Sequence, residues 1–139
     1  MSLYTERLQK LQLEFKAIKI KQANKWQFLP HEQAMFDFVM QSKKSTTFSI
    51  NDYTVTIKVG NKDFGFMHIL LRHYCNGCDG EITANDILKI GNVIKNDISI
   101  PADKNNRIKF IQTKGNNKYT VILTEQKPND LIFTFFSSK

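Results

Sequence analysis

The strongest constraint on the fold of this chain is a change in hydrophobic periodicity, from helical spacing in the N-terminal part to strand alternation near the C-terminus. Apolar and polar side chains alternate in residues 107–113, 118–124 and 131–137, and turn-forming residues separate these segments at 114–117 and 127–130. Strands joined by such short turns lie antiparallel to their neighbours. The sequence therefore predicts a three-stranded β-meander at the C-terminal end.

Helical spacing dominates the preceding part of the chain. An apolar stripe at intervals of three and four residues predicts a helix over residues 4–22, although partial alternation leaves a strand open for part of this segment. The same criteria predict three further helices, at 30–42, 64–74 and 83–96, and a hairpin with strands at 46–50 and 53–59. Helices followed by a meander predict an α+β fold, in which N-terminal helices pack on an antiparallel β-sheet.

The length of 139 residues, with 41% hydrophobic residues, suits one domain with a single core. We assign to it both an N-terminal helical region with the hairpin, residues 1–62, and a C-terminal core, residues 63–139. No apolar run approaches the roughly 20 residues needed to cross a bilayer, and the first residues do not have the pattern of a secretory signal. We therefore expect a cytoplasmic protein, or one delivered to the cytoplasm of a target cell, with no membrane partner.

The chain is basic, with a formal net charge of +7 at pH 7. Lysine and arginine side chains favour a polyanionic partner, because counterions are released when they neutralise phosphates. The basic residues are spread over both parts of the chain and form no separate tail. A lysine-rich solvated surface explains the charge equally well, so charge alone does not establish nucleic-acid binding.

Three residues suited to acid-base and phosphate chemistry lie close together in the third predicted helix: His68, Arg72 and His73. Histidine exchanges protons near neutral pH, and arginine pairs well with phosphate oxygens. At about 100° per residue, His68 and Arg72 share a helical face, whereas His73 lies roughly 140° away. We therefore expect one histidine to act as an acid or base and the other to cap the helix, without a shared pocket. For each histidine alone, a partly buried side chain with a structural role is the alternative.

The two cysteines, Cys75 and Cys78, follow this helix directly. A zinc site needs four ligands. With His73 the cysteines supply three, and only His31 or His68 is left as a fourth. A thioredoxin-like redox motif opens a helix, whereas this one follows the end of a helix. We therefore predict two reduced cysteines in a loop.

The C-terminal strands add cations and hydroxyl groups. Strand periodicity places Arg107, Lys109 and Thr113 on one face of the first meander strand. Either Tyr119 or Thr120 is expected as a neighbour on the second strand. On the last strand, alternation predicts that one face carries Ile132, Thr134 and Phe136.

The order of these motifs resembles a known group of nucleases. The run Gly65-x-x-His68-Ile69-x-x-Arg72-His73 is followed by a helix, a basic strand, a turn, a strand with Tyr119 and a last aromatic strand with Thr134. This order resembles the barnase, EndoU, colicin and RelE-like nuclease superfamily, in particular its phage-associated and polymorphic-toxin branch. The resemblance covers residues 63–136 and leaves residues 1–62 outside it. It implies a helical layer on a four- or five-stranded antiparallel sheet whose exposed face binds RNA.

The resemblance also implies an activity, that of a metal-independent RNA endonuclease without a cofactor. In that chemistry a ribose 2′-hydroxyl attacks the neighbouring phosphorus and leaves a 2′,3′-cyclic phosphate and a free 5′-hydroxyl. The catalytic residues implied for this chain are His68, His73, Arg72, Lys109 and Thr134. Arg107 and Tyr119 would bind the substrate. The resemblance implies a toxin or prophage effector that acts on RNA, with tRNA among the candidate substrates. An immunity or antitoxin protein is an implied partner.

Two readings from other functional classes remain open. A non-catalytic RNA-binding module could use the same fold, and its binding would survive the loss of both histidines of the third helix. A phage structural or interaction protein could instead dock the apolar stripe of residues 4–22 onto a larger assembly.

Overall fold

The computed structural model describes residues 2–23, 25–95, 99–101, 107–124 and 130–138. Five helices and six strands follow one another within these ranges. The helices are α1 (Leu3–Gln22), α2 (Pro30–Met40), α3 (Gly65–Arg72), α4 (Ala84–Leu88) and α5 (Ile90–Lys95). The strands are β1 (Ser45–Ile50), β2 (Tyr53–Lys58), β3 (Ser99–Pro101), β4 (Arg107–Lys114), β5 (Asn117–Thr124) and β6 (Asp130–Ser138).

The strands form one six-stranded sheet in the order β1-β2-β6-β5-β4-β3. Neighbouring strands are antiparallel except β2 and β6, which are parallel and pair over only two positions, Val55 with Asp130 and Thr56 with Leu131. The α+β fold, with N-terminal helices and a C-terminal meander of β4, β5 and β6, is confirmed. The short edge strand β3 was not predicted, because three residues are too few to show a periodicity.

The helical alternative for the first segment is correct along its whole length. Ser2 caps α1 by accepting a hydrogen bond from the backbone N–H of Thr5. Leu11 and Phe15 are fully buried, while Leu13, which suggested strand alternation, is 66% exposed. The apolar stripe at helical spacing, and not the local alternation, therefore determines the structure of this segment.

The helix predicted over residues 83–96 is wrong as a continuous element, because it is broken at Lys89 into α4 and α5. Thr83 and Asp86 form a capping box that begins α4. In α5, a Cβ at Gly91 would lie 2.4 Å from Ile50 Cδ1 and 2.5 Å from the Nδ1 atom of His31. Because Gly91 has no Cβ, its backbone packs directly on these side chains, which a larger residue would prevent.

A β-bulge in β6 changes which residues share a face. Thr134 lies opposite Ile122, but Ile132 lies opposite the next residue, Leu123, so Phe133 is the extra residue of the bulge. The prediction that Ile132 and Thr134 share a face is therefore wrong. Ile132 is fully buried on the other face.

The two faces of the sheet differ. The inner face packs against the helices, α5 against β4 and β5 and α2 against β1, and it contributes Phe110, Val121 and Phe135 to the core. The register of β4, β5 and β6 places on the outer face a mixed set of residues, which includes Arg107, Lys109, Thr120, Thr134 and Phe136 together with the apolar Ile111, Ile122 and Leu131. Within the described ranges, no helix combines the length and the apolar character needed to cross a membrane.

Candidate functional site

A pocket of about 550 Å³ lies at the C-terminal end of α3. Three residues singled out from the sequence, His68, Arg72 and His73, line it together. The remaining lining residues come from α1, from α3 and from the loop that follows α3, and they are Arg7, Leu71, Cys75, Cys78 and Asp79. We call this cavity the α3 pocket.

The two histidine rings of the α3 pocket face each other, with centroids 5.5 Å apart and planes at 78°. The prediction that His68 and His73 do not share a pocket is therefore wrong. It assumed regular helical rotation as far as His73, but α3 ends at Arg72 and His73 is its C-cap, with φ −126° and ψ −16°. The change of backbone direction after Arg72 turns His73 towards His68.

Both imidazoles are fixed by the same kind of hydrogen bond. Nδ1 of His68 lies 2.9 Å from the carbonyl oxygen of Lys62, and Nδ1 of His73 lies 2.9 Å from the carbonyl oxygen of Asp79. A carbonyl oxygen only accepts, so each Nδ1 carries a hydrogen and donates it. In the neutral rings the Nε2 atoms are then left with the free lone pair, which is the state required of a base.

His73 occupies a more crowded environment than an ordinary surface histidine. Its ring lies against Phe136 of β6, with centroids 5.7 Å apart, and over the bare backbone of Gly80. Burial lowers the pKa of His73, the positive charges of His68 and Arg72 lower it further, and the hydrogen bond to the Asp79 carbonyl and the Asp79 charge oppose them. His73 is therefore held neutral at neutral pH.

Arg7 is a residue of the pocket that the sequence reasoning missed. Its Nη1 donates hydrogen bonds to the carbonyl oxygens of Leu70, at 2.8 Å, and Leu71. It thereby satisfies the last turn of α3 from a position 63 residues earlier in the chain. The only local signal is that Arg7 precedes the buried Leu11 by one helical turn, which places it at the edge of the apolar stripe.

A second contact with α1 fixes the residue that follows His73. Tyr74 is 5% exposed, and its hydroxyl donates to a carboxylate oxygen of Glu14. Burial, followed by the hydrogen bond and the charge of Glu14, raises the pKa of Tyr74 far above its usual value, so the phenol stays protonated as a donor. The backbone N–H of Ile82 also donates to the carbonyl of His73, at 2.8 Å. These contacts hold His73 in place from both sides.

Cys75 and Cys78 are joined in a disulfide. The prediction of two reduced loop cysteines is therefore wrong. The local hydrophobic pattern contains no information on the redox state of a pair of cysteines. In this state neither sulfur is a thiolate that could bind zinc. The part of the chain that the structure describes contains no group of three or more histidine, cysteine, aspartate or glutamate side chains placed to hold a metal ion.

Arg107 and Thr134 lie on the outer face of the sheet and not in the lining of the α3 pocket. The Cζ atom of Arg107 lies 4.0 Å from the ring centroid of Phe133. Phe133 in turn stacks on Phe64, the N-cap residue of α3, with centroids 6.4 Å apart. Thr134 is 6% exposed, and its hydroxyl has no hydrogen-bond partner among the described residues. Arg107 therefore approaches α3 at the end opposite to His73.

The remaining two predicted residues are separated by the sheet. Lys109 shares the outer face with Arg107, and its cross-strand partner is Ile122. Tyr119 lies on the inner face, where its ring is 6.3 Å from that of Phe135. The alternative neighbour, Thr120, does share the outer face and is 4% exposed. A role for Tyr119 in substrate binding stays a prediction, and this placement gives it no support.

Comparisons of the chain with protein-family models, with curated proteins and with solved structures found no match. A functional assignment must therefore start from the arrangement of side chains described above. That arrangement consists of two facing imidazoles with fixed Nδ1 atoms, two guanidinium groups and a disulfide in one pocket.

Proposed function

We propose that this protein is an RNA endonuclease of the barnase, EndoU, colicin and RelE-like superfamily, which cleaves by attack of a ribose 2′-hydroxyl on the adjacent phosphorus. The observation that carries the proposal is the facing pair His68 and His73, 5.5 Å apart, in a pocket also lined by Arg7 and Arg72. The pocket volume, about 550 Å³, lies within the range of small-ligand sites and suits a nucleotide.

His73 takes the role of general base. Its lowered pKa keeps the ring neutral at neutral pH, and its Nδ1 is committed to the Asp79 carbonyl, so Nε2 receives the proton of the 2′-hydroxyl. His68 takes the role of general acid and, in its protonated form, gives a proton from Nε2 to the departing 5′ oxygen. Placing one base and one acid in different environments is how a single site performs both proton transfers at one pH.

The guanidinium groups supply the charge that a phosphorane transition state requires. Arg72 is exposed at the pocket and is free to approach a phosphate oxygen. The Nη1 of Arg7 is engaged by α3, and a guanidinium has further N–H donors that can reach substrate. Asp79 partly offsets these cations and is the one acidic residue in the described lining.

The RNA strand is proposed to continue from the pocket over the outer face of the sheet. Phe136 contacts His73 and lies on this face, so it offers a stacking surface beside the reaction centre. Arg107 and Lys109 lie on the same face and would bind phosphates of flanking nucleotides. Action as a toxin or phage-associated effector, with an immunity or antitoxin partner, is the biological part of the proposal and rests on the resemblance of residues 63–136.

The proposal is tested with purified protein and RNA in the presence of EDTA. We expect products that end in 2′,3′-cyclic phosphate and begin with 5′-hydroxyl, and we expect His68→Ala to cleave about 10²–10⁴-fold more slowly. A substrate with one 2′-deoxynucleotide at the cleaved position must remain intact, because the attacking group is missing. Lys16→Gln removes one exposed charge from α1, outside the pocket, and serves as the control variant. RNA that is bound but never cut, or cleavage of the deoxy substrate, would contradict the mechanism.

A non-catalytic RNA-binding module is the second candidate, and one observation favours it. Arg107 and Lys109 share the outer face but do not line the α3 pocket, so binding by the sheet does not require the histidines. The double variant His68→Ala, His73→Ala separates the two functions. If it retains salt-dependent RNA affinity and the parent protein never cleaves RNA, the binding module is correct.

A further inference from the structure

The disulfide between Cys75 and Cys78 forms part of the wall of the α3 pocket, although the proposed cleavage of RNA does not use it. Both cysteines are partly exposed. They are two of the eight residues that line the pocket, together with the cations Arg7 and Arg72. Asp79 is the one acidic residue of the described lining, so a solute that enters the pocket meets the disulfide where positive charge is in excess.

The position of the disulfide in the chain makes these side-chain cations important. Thiolates in many redox motifs are stabilised by the positive end of a helix that the motif opens. Here the motif follows the C-terminus of α3, whose dipole disfavours a nearby anion. Positive charge for an attacking or leaving thiolate must come from the side chains of Arg7 and Arg72.

We propose that Cys75–Cys78 is a thiol–disulfide exchange site whose co-reactant is a low-molecular-weight thiol that carries a carboxylate. The incoming thiolate attacks one Sγ, the Sγ–Sγ bond breaks, and the other cysteine leaves as a thiolate. A second thiolate then attacks the mixed disulfide and releases the oxidised small disulfide. Two small thiols lose two electrons in total, and Cys75 and Cys78 gain these electrons and bind two protons.

Exchange at this site affects His73 through the neighbouring residue Asp79. Asp79, whose carbonyl accepts the hydrogen bond from His73 Nδ1, is the residue after Cys78. The disulfide closes the turn from Cys75 to Cys78, and its reduction removes that constraint from the segment that carries the acceptor. Exchange is thus coupled to the orientation of His73, and any effect on RNA cleavage rests on the function proposed above.

The exchange site is tested by the charge of the reductant. The rate of reduction is followed by alkylation and mass spectrometry with 3-mercaptopropionate and with cysteamine, at matched thiolate concentrations. Each rate is divided by the rate for the same protein unfolded in urea, which removes the intrinsic difference between the thiols. We expect the normalised rate to be about tenfold higher for the anionic thiol at low salt, and this preference to fall in Arg72→Gln but not in Lys16→Gln.

Equal normalised rates for the two thiols, or a preference that Arg72→Gln leaves unchanged, would overturn the exchange site. Two thiols that react with the alkylating agent before any reductant is added would overturn it as well. No RNA is present in this assay. A charge-dependent exchange in a protein that never cuts RNA would therefore refute the nuclease and leave the exchange site standing.

The coupling to His73 has its own spectroscopic test. In the oxidised protein, ¹⁵N-labelled His73 should show the tautomer with hydrogen on Nδ1, since that atom donates to Asp79. After reduction, and in the Cys75→Ala, Cys78→Ala double variant, a mixture of tautomers is expected. If the Nδ1–H tautomer is retained both in the reduced protein and in the double variant, the disulfide does not control the orientation of His73.

Discussion

The three histidines occupy two pockets that differ in what surrounds the imidazole. His68 and His73 line the α3 pocket, and each has one nitrogen held by a backbone carbonyl. His31 lines a smaller pocket of about 200 Å³ beside Ile50 and Lys95 and is 5% exposed, and neither of its ring nitrogens makes a hydrogen bond of good geometry to any residue that the structure describes. We call this second cavity the His31 pocket. The first arrangement fixes the orientation of each ring through Nδ1, as the proposed proton transfers require, whereas in the second the ring is a buried packing group.

The comparison shows that a lowered pKa alone does not mark a histidine as a candidate for proton transfer. Burial lowers the pKa of both His31 and His73, and a neighbouring cation adds to it in each case, Lys95 for His31 and Arg72 for His73. Glu32 and Asn92 oppose the shift of His31. What separates the two residues is the fixed Nδ1 of His73 and the neighbouring imidazole of His68.

The largest effect that would distinguish the two pockets is the loss of an imidazole from the α3 pocket. We expect His68→Ala to lower the rate of RNA cleavage by about 10²–10⁴-fold, the usual contribution of a general acid or base, with little change in the melting temperature. His31→Ala is the matched variant and should leave the cleavage rate unchanged while it lowers the free energy of unfolding by about 0.5–3 kcal/mol. The reverse pattern would exchange the roles of the pockets.

The second effect concerns the packing of the His31 pocket. Gly91→Ala places a methyl group 2.4 Å from Ile50 Cδ1 and 2.5 Å from His31 Nδ1. We expect a destabilisation of about 1–3 kcal/mol by overpacking, measured by urea unfolding. Asn85→Ala, at an exposed helical position of α4, is the control and should be nearly neutral. A more stable Gly91→Ala protein would show that helix propensity outweighs the contact.

The sequence predicted most of the fold because its signals are local. Alternation in residues 107–113 and 118–124 identified β4 and β5, and the capping box at Thr83 identified the start of α4. The break at Lys89 and the bulge at Phe133 escaped prediction, since neither leaves a signal in the local hydrophobic pattern. A Cβ at Gly91 would lie 2.4 Å from Ile50 Cδ1, and no pattern within the helix reveals this contact.

The candidate site was predicted only in part for the same reason. Regular helix geometry brought His68 and Arg72 to one face, but it failed at His73, where the helix has already ended. Arg7 joins the pocket through hydrogen bonds to α3 that span 63 residues. Which of Tyr119 and Thr120 shares the outer face with Arg107 and Lys109 follows from the register of β4 and β5, which the sequence left open.

The third effect is the dependence of stability on pH. The pKa values of His31 and His73 are lowered in the folded protein, so the unfolded chain binds protons first as the pH falls below about 6.5. The contribution of these two histidines to the free energy of unfolding is therefore fully present above this pH. It decreases as the pH falls towards their folded-state pKa values. Urea unfolding between pH 7.5 and 5 should show a slope of up to about 1.4 kcal/mol per pH unit for each histidine.

Removing the titrating group of the His31 pocket tests this assignment. His31→Asn should retain only the part of the slope that belongs to His73, whatever its stability at pH 7.5. An unchanged slope in this variant would mean that the buried ring of His31 is not the source of the acid sensitivity.

The smallest expected effect comes from removing the positive charge beside each imidazole. Arg72→Gln removes a cation that lowers the pKa of His73, so this pKa should rise, and the acid limb of the cleavage profile should move to higher pH. Lys95→Gln should raise the pKa of His31 for the same reason and leave His73 unchanged. Histidine Cε1–H signals followed by NMR report both values without any substrate. If Arg72→Gln shifted the NMR titration of His73 but not the acid limb of the cleavage profile, His73 would not be the base. The base would then be His68, whose ring centroid lies 5.5 Å from that of His73.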